Sequence, residues 1–160
     1  MALLEIKVNG MECQVAVDAT TSLLTVLREH LHITGPKVGC ETGDCGACSV
    51  LVNGTLRRAC LTHALSVQGA DIETIEGAGG SGGLHPLQKA FYEKHASQCG
   101  FCTPGMIMTA KALLDENPNP TVTDIKETLS GNLCRCGSYI NIIEAVKFAA
   151  ELVADEGGDR

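Results

Sequence analysis

The sequence is short of large aromatic side chains, with no Trp, 2 Tyr and 3 Phe in 160 residues. It also lacks long apolar runs, because none approaches the ~20 residues that a membrane-spanning helix needs. Acidic residues outnumber basic ones by 19 to 12, and the resulting net charge of -7 argues against non-specific nucleic-acid binding, which needs a basic surface. The sequence therefore predicts neither a membrane span nor a nucleic-acid partner, while a hydrophobic content of 44% excludes a wholly disordered chain.

A secretory signal is also missing from the first residues. Glu5 and Lys7 place charges inside the segment that would have to be the apolar core of a signal peptide. We therefore expect a cytoplasmic protein in a reducing compartment. Clustered cysteines in such a compartment are more often metal ligands or catalytic thiols than disulfides.

Cysteine is the residue that stands out, with 9 in the chain. An odd number excludes complete disulfide pairing. Cys13 shares the alternation of Val15 and Val17 in a predicted strand, so we expect it to face the core as a small hydrophobic residue. The other cysteines form two sets of four, which is the number of thiolates that two tetrathiolate metal centres need: Cys40, Cys45, Cys48 and Cys60, then Cys99, Cys102, Cys134 and Cys136.

The first set begins with the spacing Cys40-x4-Cys45-x2-Cys48, which is that of plant-type [2Fe-2S] proteins. Such a loop must wrap around its metal centre and point backbone N–H groups at the sulfur atoms. Tetrathiolate zinc is the alternative, but zinc sites usually use two C-x2-4-C pairs. Three glycines give this loop the required backbone freedom and favour the iron–sulfur interpretation: Gly39, Gly43 and Gly46.

The second set is ambiguous from spacing alone. Cys99-x2-Cys102 and the distant Cys134-x-Cys136 could hold zinc or an iron–sulfur cluster. Each pair precedes a predicted helix, and a helix N-terminus favours anionic thiolates through its dipole and free N–H groups.

Residues 1–76 have the pattern of a small α+β domain. Asn9-Gly10 and Asn53-Gly54 each predict a hairpin. Thr21 or Ser22 can cap a following helix with an apolar face. A last strand is predicted over residues 71–76.

The composition changes at residue 77. Residues 77–83 are Gly-rich and predict a flexible linker. They contain G-x-G-x-x-G, but no strand pattern follows the next helix, so a dinucleotide site is not expected. Residues 84–154 predict four helices with short connections, as in a small bundle, and residues 155–160 a polar tail.

Three motifs resemble the small iron–sulfur subunits of the molybdenum hydroxylases, the family of xanthine dehydrogenase, aldehyde oxidoreductase and carbon monoxide dehydrogenase. They are GCETGDCGAC at residues 39–48, QCGFCTPGM at residues 98–106 and GNLCRC at residues 131–136. The resemblance implies an α+β chain with a β-grasp ferredoxin-like domain and a C-terminal four-helix bundle. It assigns one [2Fe-2S] cluster to the first set of four cysteines and another to the second set.

The resemblance also implies partners and cofactors outside this chain. Gln98 and Cys136 match positions that contact the pterin of a molybdenum cofactor held by a large subunit, and a glutamine amide can bond pterin donors and acceptors. A helix cap is the alternative role for Gln98. A medium subunit with FAD is a further possible partner. One departure, Gly137-Ser138-Tyr139 after the last cysteine, resembles a branch with aldehyde and N-heterocycle oxidoreductases.

The expected function is electron transfer from molybdenum through two [2Fe-2S] clusters to a flavin or another acceptor, within a multi-subunit oxidoreductase. No catalytic residue is expected here, because substrate chemistry belongs to the large subunit. A free-standing ferredoxin-type carrier is the first alternative, although a carrier needs only the first domain. A zinc-stabilised interaction module is the second.

Overall fold

A computed structural model describes residues 1–157. Its first half contains five strands, which are β1 Ala2–Val8, β2 Met11–Val17, β3 Ser49–Val52, β4 Thr55–Arg58 and β5 Asp71–Glu73. Its helices are α1 Leu23–Thr25, α2 Pro86–Glu93, α3 Thr103–Glu116, α4 Val122–Leu129 and α5 Tyr139–Gly157. The strands precede four of the five helices, which confirms the predicted α+β class.

The strands form one mixed sheet in the order β2-β1-β5-β3-β4, in which only the β1–β5 pairing is parallel. Both predicted hairpins are present. Asn9 and Gly10 have φ of 50° and 85°, and Asn53 and Gly54 have φ of 48° and 77°. Two successive positive φ angles give the turn a twist that matches the strands it joins, which is why Asn-Gly is favoured there.

The helix after β2 begins as predicted but changes its geometry. Ser22 is the N-cap, and its hydroxyl accepts the N–H of Thr25 at 3.1 Å. After Thr25 the chain continues as a π-helix over Val26–His30. Four residues of this segment are buried in the core of the first half: Leu23, Leu24, Val26 and Leu27. The predicted amphipathic segment therefore packs its apolar residues against the sheet.

The second half is helical, as predicted. Thr121 and Asp124 form a reciprocal cap at the start of α4, with bonds of 3.2 and 2.8 Å. α3 begins at Thr103, with Cys102 as its N-cap residue and Pro104 in its first turn. α5 continues to Gly157, so part of the predicted polar tail is helical, and residues 158–160 lie outside the described residues.

The two halves pack directly on one another. Ala78 is buried with Leu51 of β3 and Met108 of α3 in a small cluster between them. Within residues 77–83, Gly80–Gly82 form a 3-10 turn, and the flexible linker expected from their composition stays a prediction. β5 ends at Glu73, which leaves residues 74–76 to begin this connection. The predicted domain boundaries at residues 76, 83 and 154 stay predictions.

Small aliphatic side chains fill both cores. Phe91 is the only aromatic residue among the buried hydrophobic residues of the described chain. Within residues 1–157, none of the helices has both the length and the apolarity that crossing a membrane requires.

Candidate metal centres

The first cysteine loop precedes β3 and turns back on itself around Cys40. The Sγ atom of Cys40 lies 3.4 Å from the backbone N of Thr42 and 3.4 Å from that of Cys45, and both N–H groups donate to it. Gly43 and Gly46 have φ of 88° and 71°, in the region that favours glycine. The positive φ angles at both glycines allow the tight turn of this loop, and their role in cluster binding stays a prediction.

The four cysteines of the first set meet in space. The backbone N–H of Cys45 donates to the Cys40 sulfur, and both Cys48 and Cys40 raise the pKa of Cys60. Cys48 is buried at the start of β3, and its carbonyl oxygen accepts the backbone N–H of Ala59, next to Cys60 in the short helix after β4, at 3.2 Å. The β3–β4 hairpin returns the chain to the cysteine loop and so brings Cys60 back to Cys48.

The four cysteines of the second set also meet in space. Cys102, at the N-terminus of α3, and Cys134, in the loop before α5, each influence the pKa of the other, and Cys136 and Cys134 influence that of Cys99. Both predicted helix N-termini are therefore at the site. Tyr139, the first residue of α5, fixes this loop because its hydroxyl accepts the backbone N–H of Cys134 at 2.8 Å.

The thiols differ in how readily they ionise. The hydroxyl of Thr42 and the N–H groups of Cys45 and Thr42 lower the pKa of Cys40 to about 6, because they stabilise its thiolate. Burial, reinforced by the neighbouring Cys48, raises the pKa of Cys60 to about 11. Cys40 is thus ready to ligate a metal at neutral pH, whereas Cys60 needs the charge of a cation to stabilise its thiolate.

The second set repeats this contrast. The backbone N–H of Phe101, followed by the side chain of Cys136, lowers the pKa of Cys99. Burial, with a further contribution from Cys134, raises the pKa of Cys102 to about 12. For Cys134 itself burial opposes ionisation, but hydrogen bonds led by the N–H of Ser138 lower its pKa. A cation at this site would again compensate the buried thiolate.

Four thiolates can hold one tetrahedral zinc ion, with each sulfur about 2.3 Å from it, or a [2Fe-2S] cluster, which shares four cysteines between two iron atoms. The spacing Cys40-x4-Cys45-x2-Cys48 and the two N–H groups directed at the Cys40 sulfur favour the cluster at the first site. The donor sets therefore fit the predicted clusters.

Both cysteine sets face one cavity of about 420 Å³. Cys40 and Cys45 line it from the first set, and Cys99, Cys102 and Cys134 from the second. Its remaining walls are mainly apolar and include Gly39 and the side chains of Phe101, Leu133 and Tyr139. The fold thus brings together two metal-ligating groups that the sequence only placed in separate halves.

Gln98 lies on the surface next to the second centre. Its side chain is exposed and takes part in none of the hydrogen bonds found in the described part of the chain. The N-cap position of α3 belongs to Cys102, which makes no side-chain cap bond. The structure therefore gives no support to the helix-cap role for Gln98. Cys99 and Cys136 are exposed beside it.

Sequence reasoning missed the polar contacts between the two cysteine loops. Arg58 of β4 donates to Gly131 and Asn132 of the second loop, and Asn132 donates to Gly46 of the first. Asn132 lies inside the GNLCRC motif, and its position two residues before a predicted ligand was the signal that could have indicated a polar contact near the site. Arg58 gave no such signal, since it precedes Cys60 in a strand with ordinary alternation.

The fold and the two cysteine sets define a two-domain [2Fe-2S] protein, and comparison with known proteins agrees. Residues 6–72 match the family described as "2Fe-2S iron-sulfur cluster binding domain", and residues 74–147 match the "[2Fe-2S] binding domain". The aldehyde oxidoreductase iron-sulfur-binding subunit PaoA of Escherichia coli (strain K12) is 48% identical over 92% of this chain and 71% of its own length. The nicotinate dehydrogenase small FeS subunit of Eubacterium barkeri is 44% identical over 95% of this chain and 97% of its own.

Solved structures show the same fold. Quinoline 2-oxidoreductase from Pseudomonas putida 86 superposes with a TM-score of 0.91 at 42% identity, over 96% of both chains. The aldehyde oxidoreductase of Desulfovibrio gigas superposes with a TM-score of 0.92 at 46% identity, over 98% of this chain but only 18% of the longer one. The chain belongs to the family of small [2Fe-2S] iron–sulfur subunits of the molybdenum hydroxylases. The alternative of a free-standing ferredoxin-type carrier is not supported, since these relatives are oxidoreductase subunits or segments.

Proposed function

We propose that this chain is the electron-transfer subunit of a molybdopterin-dependent oxidoreductase and relays electrons from the molybdenum cofactor of a large partner subunit to a flavin or another acceptor. The observation that carries the proposal is the single cavity of about 420 Å³ lined by both cysteine sets. Ligands of both sets on one cavity place the two redox centres next to one another, as electron transfer between them requires.

Each set of four cysteines would hold one [2Fe-2S] cluster, which supplies one-electron transfer when bound. The chain itself would contribute position and electrostatics. N–H groups of Thr42 and Cys45 point at the Cys40 sulfur and would stabilise negative charge there, which raises the reduction potential of a cluster. The ligands would be Cys40, Cys45, Cys48 and Cys60 in the first centre, and Cys99, Cys102, Cys134 and Cys136 in the second.

The second centre is the better candidate for contact with the large subunit. Cys99 and Cys136 are exposed, and the apolar side chains of Phe101 and Ile140 are 47% and 78% accessible nearby in sequence. Gln98 is exposed with its amide free of the hydrogen bonds described within this chain, so it can bond a pterin that offers donors and acceptors. Gln98 and Cys136 would thus form the entry point for electrons.

Partner composition and location complete the proposal. A medium subunit with FAD would accept the electrons in those complexes that have one, and the assembly would be cytoplasmic. The relatives' names refer to aldehydes, nicotinate and quinoline, and this chain would serve an enzyme of that range. The substrate would bind to the large subunit.

Purification of the native complex from its source tests this proposal. The expected result is co-purification of a large subunit that contains molybdenum, and reduction of both clusters when an oxidisable substrate of that complex is added anaerobically. A chain that purifies alone, or clusters that stay oxidised while substrate is turned over, would contradict it.

A further inference from the structure

Asn132 is a buried amide that bridges the two cysteine loops. It is 2% exposed and lies in the second loop, two residues before Cys134. Its Nδ2 donates to the carbonyl oxygen of Gly46 in the first loop at 3.1 Å, and its Oδ1 accepts the hydroxyl of Thr109 from α3 at 3.0 Å. One side chain therefore connects the first loop, the second loop and a helix of the bundle.

Arg58 of β4 also bonds to Asn132 and to its neighbour Gly131. Its Nη2 donates to the carbonyl oxygen of Gly131 at 2.8 Å and to Oδ1 of Asn132 at 3.5 Å. Its Nη1 donates at 2.6 Å to Oγ of Ser49, which in turn donates at 2.6 Å to the carbonyl of Gly46. The Gly46 carbonyl thus accepts hydrogen bonds from the side chains of both Ser49 and Asn132. The Arg58 guanidinium fixes the amide orientation of Asn132, because it donates to Oδ1.

The backbones of the two cysteine loops and of α3 approach one another closely at Gly46. A Cβ atom added to Gly46 would lie 2.5 Å from the carbonyl oxygen of Gly131 and 2.6 Å from Nδ2 of Asn132. One added to Gly105 of α3 would collide with the Gly46 carbonyl. Such close approach, with both the nitrogen and the oxygen of the Asn132 amide paired, makes this contact rigid in a low-dielectric interior.

We propose that Asn132 is the positioning residue that fixes the separation and orientation of the two metal centres, with Arg58 as its anchor. The inference rests on the proposed function, because it assigns a role to residues between the two clusters. The contact includes the segments 45–46 and 131–133, so ligands of both sites lie within two residues of it. A shift here displaces Cys45 relative to Cys134 and changes the distance between the two centres, on which their magnetic interaction depends.

Asn132→Asp is the most direct test, in the full chain carrying both clusters and in its native complex. Aspartate keeps the acceptor for Thr109 and Arg58 but replaces the donor to Gly46 with an oxygen that repels the carbonyl. We expect both [2Fe-2S] EPR signals to persist. The magnetic splitting between the two fully reduced clusters should change, and the potential of the first cluster should shift.

Asn141→Asp is the matched control. Asn141 is an exposed residue in the first turn of α5 whose Nδ2 donates to the carbonyl of Lys94 at 3.0 Å, so the same chemical change breaks one amide-to-carbonyl bond and adds one charge without touching the first cysteine loop. It should leave the splitting and the potential of the first cluster as in the native chain. Thr109→Val, which removes a single donor to Asn132, gives a smaller change of the same kind and carries the test if Asn132→Asp loses a cluster.

The outcomes separate this inference from the proposed function. Native-like splitting and potentials in both Asn132→Asp and Thr109→Val, with both clusters present, overturn the positioning role. Equal effects of Asn132→Asp and Asn141→Asp overturn it too, because they indicate a general effect of added charge. Absence of [2Fe-2S] signals from the native chain itself would instead contradict the proposed function.

Discussion

The backbone N–H of Leu133 donates a hydrogen bond of 2.9 Å to the carbonyl oxygen of Cys45. Leu133 directly precedes Cys134, so this bond joins a proposed ligand of the first centre to the neighbour of a proposed ligand of the second. Backbone atoms cannot be repositioned by a rotamer change, which makes this bond a fixed connection between the two halves. Substitutions that disturb this close approach should therefore affect both centres.

Gly46→Ala should be much more damaging than the same change at Gly54. Both glycines have positive φ, 71° and 77°, so each alanine adds about 1–2 kcal/mol of left-handed backbone cost. A Cβ at Gly54 meets nothing within 4 Å, whereas one at Gly46 meets Gly131 and Asn132. Thermal unfolding and iron content measure the difference. A Gly46→Ala protein with the Tm and iron content of Gly54→Ala would contradict the packing at Gly46.

Gly105→Ala tests how closely α3 approaches Gly46, because this approach determines whether the substitution stabilises or destabilises the chain. Gly105 lies inside a 14-residue helix, where Gly→Ala ordinarily stabilises by about 1 kcal/mol. Here the added Cβ would collide with the carbonyl oxygen of Gly46, so we expect destabilisation. Denaturant unfolding of the cluster-loaded chain checks the sign, and a gain in stability would show that the two halves are not packed this closely.

Cys45→Ser should remove the EPR signal of one cluster and leave the other, because serine replaces one of four thiolates at the first centre only. Cys13→Ser is the matched control. Cys13 is half-buried on the sheet, packs against the core as predicted, and belongs to neither set of four. Its substitution should leave both signals intact. Two surviving signals in Cys45→Ser, or the loss of one in Cys13→Ser, would invalidate the ligand assignment.

Gln98→Ala should slow reduction of the clusters by the molybdenum site without loss of either cluster. The exposed amide has no hydrogen bond within the described chain, so its removal should leave the Tm unchanged. Gln14→Ala, which breaks a 2.8 Å bond to Glu5 on the exposed face of the sheet, serves as the control in rapid-mixing experiments. Equal reduction rates in both variants would remove Gln98 from the proposed entry point.

Local features of the fold were predictable because a few adjacent residues determine them. Asn9-Gly10 and Asn53-Gly54 impose their own positive φ angles, and Thr121 with Asp124 forms a cap across three residues. The grouping of the cysteines also followed from spacing, because a loop around one metal centre must present its thiolates within a few positions.

Features that depend on distant parts of the chain were not predictable from the sequence. Arg58 meets Asn132 across 74 positions, and Asn132 meets Gly46 across 86. Ala78 lies in a segment of linker composition, yet it is buried with Leu51 and Met108. In each case a contact between distant segments outweighs the local pattern.

Quantification of iron, acid-labile sulfide and zinc in the purified chain tests the central claim most directly. Two [2Fe-2S] clusters held by eight cysteines predict about four iron and about four sulfide per chain, with visible absorbance and two distinct EPR signals after reduction. Zinc at about two atoms per chain, without labile sulfide or visible absorbance, would contradict the account.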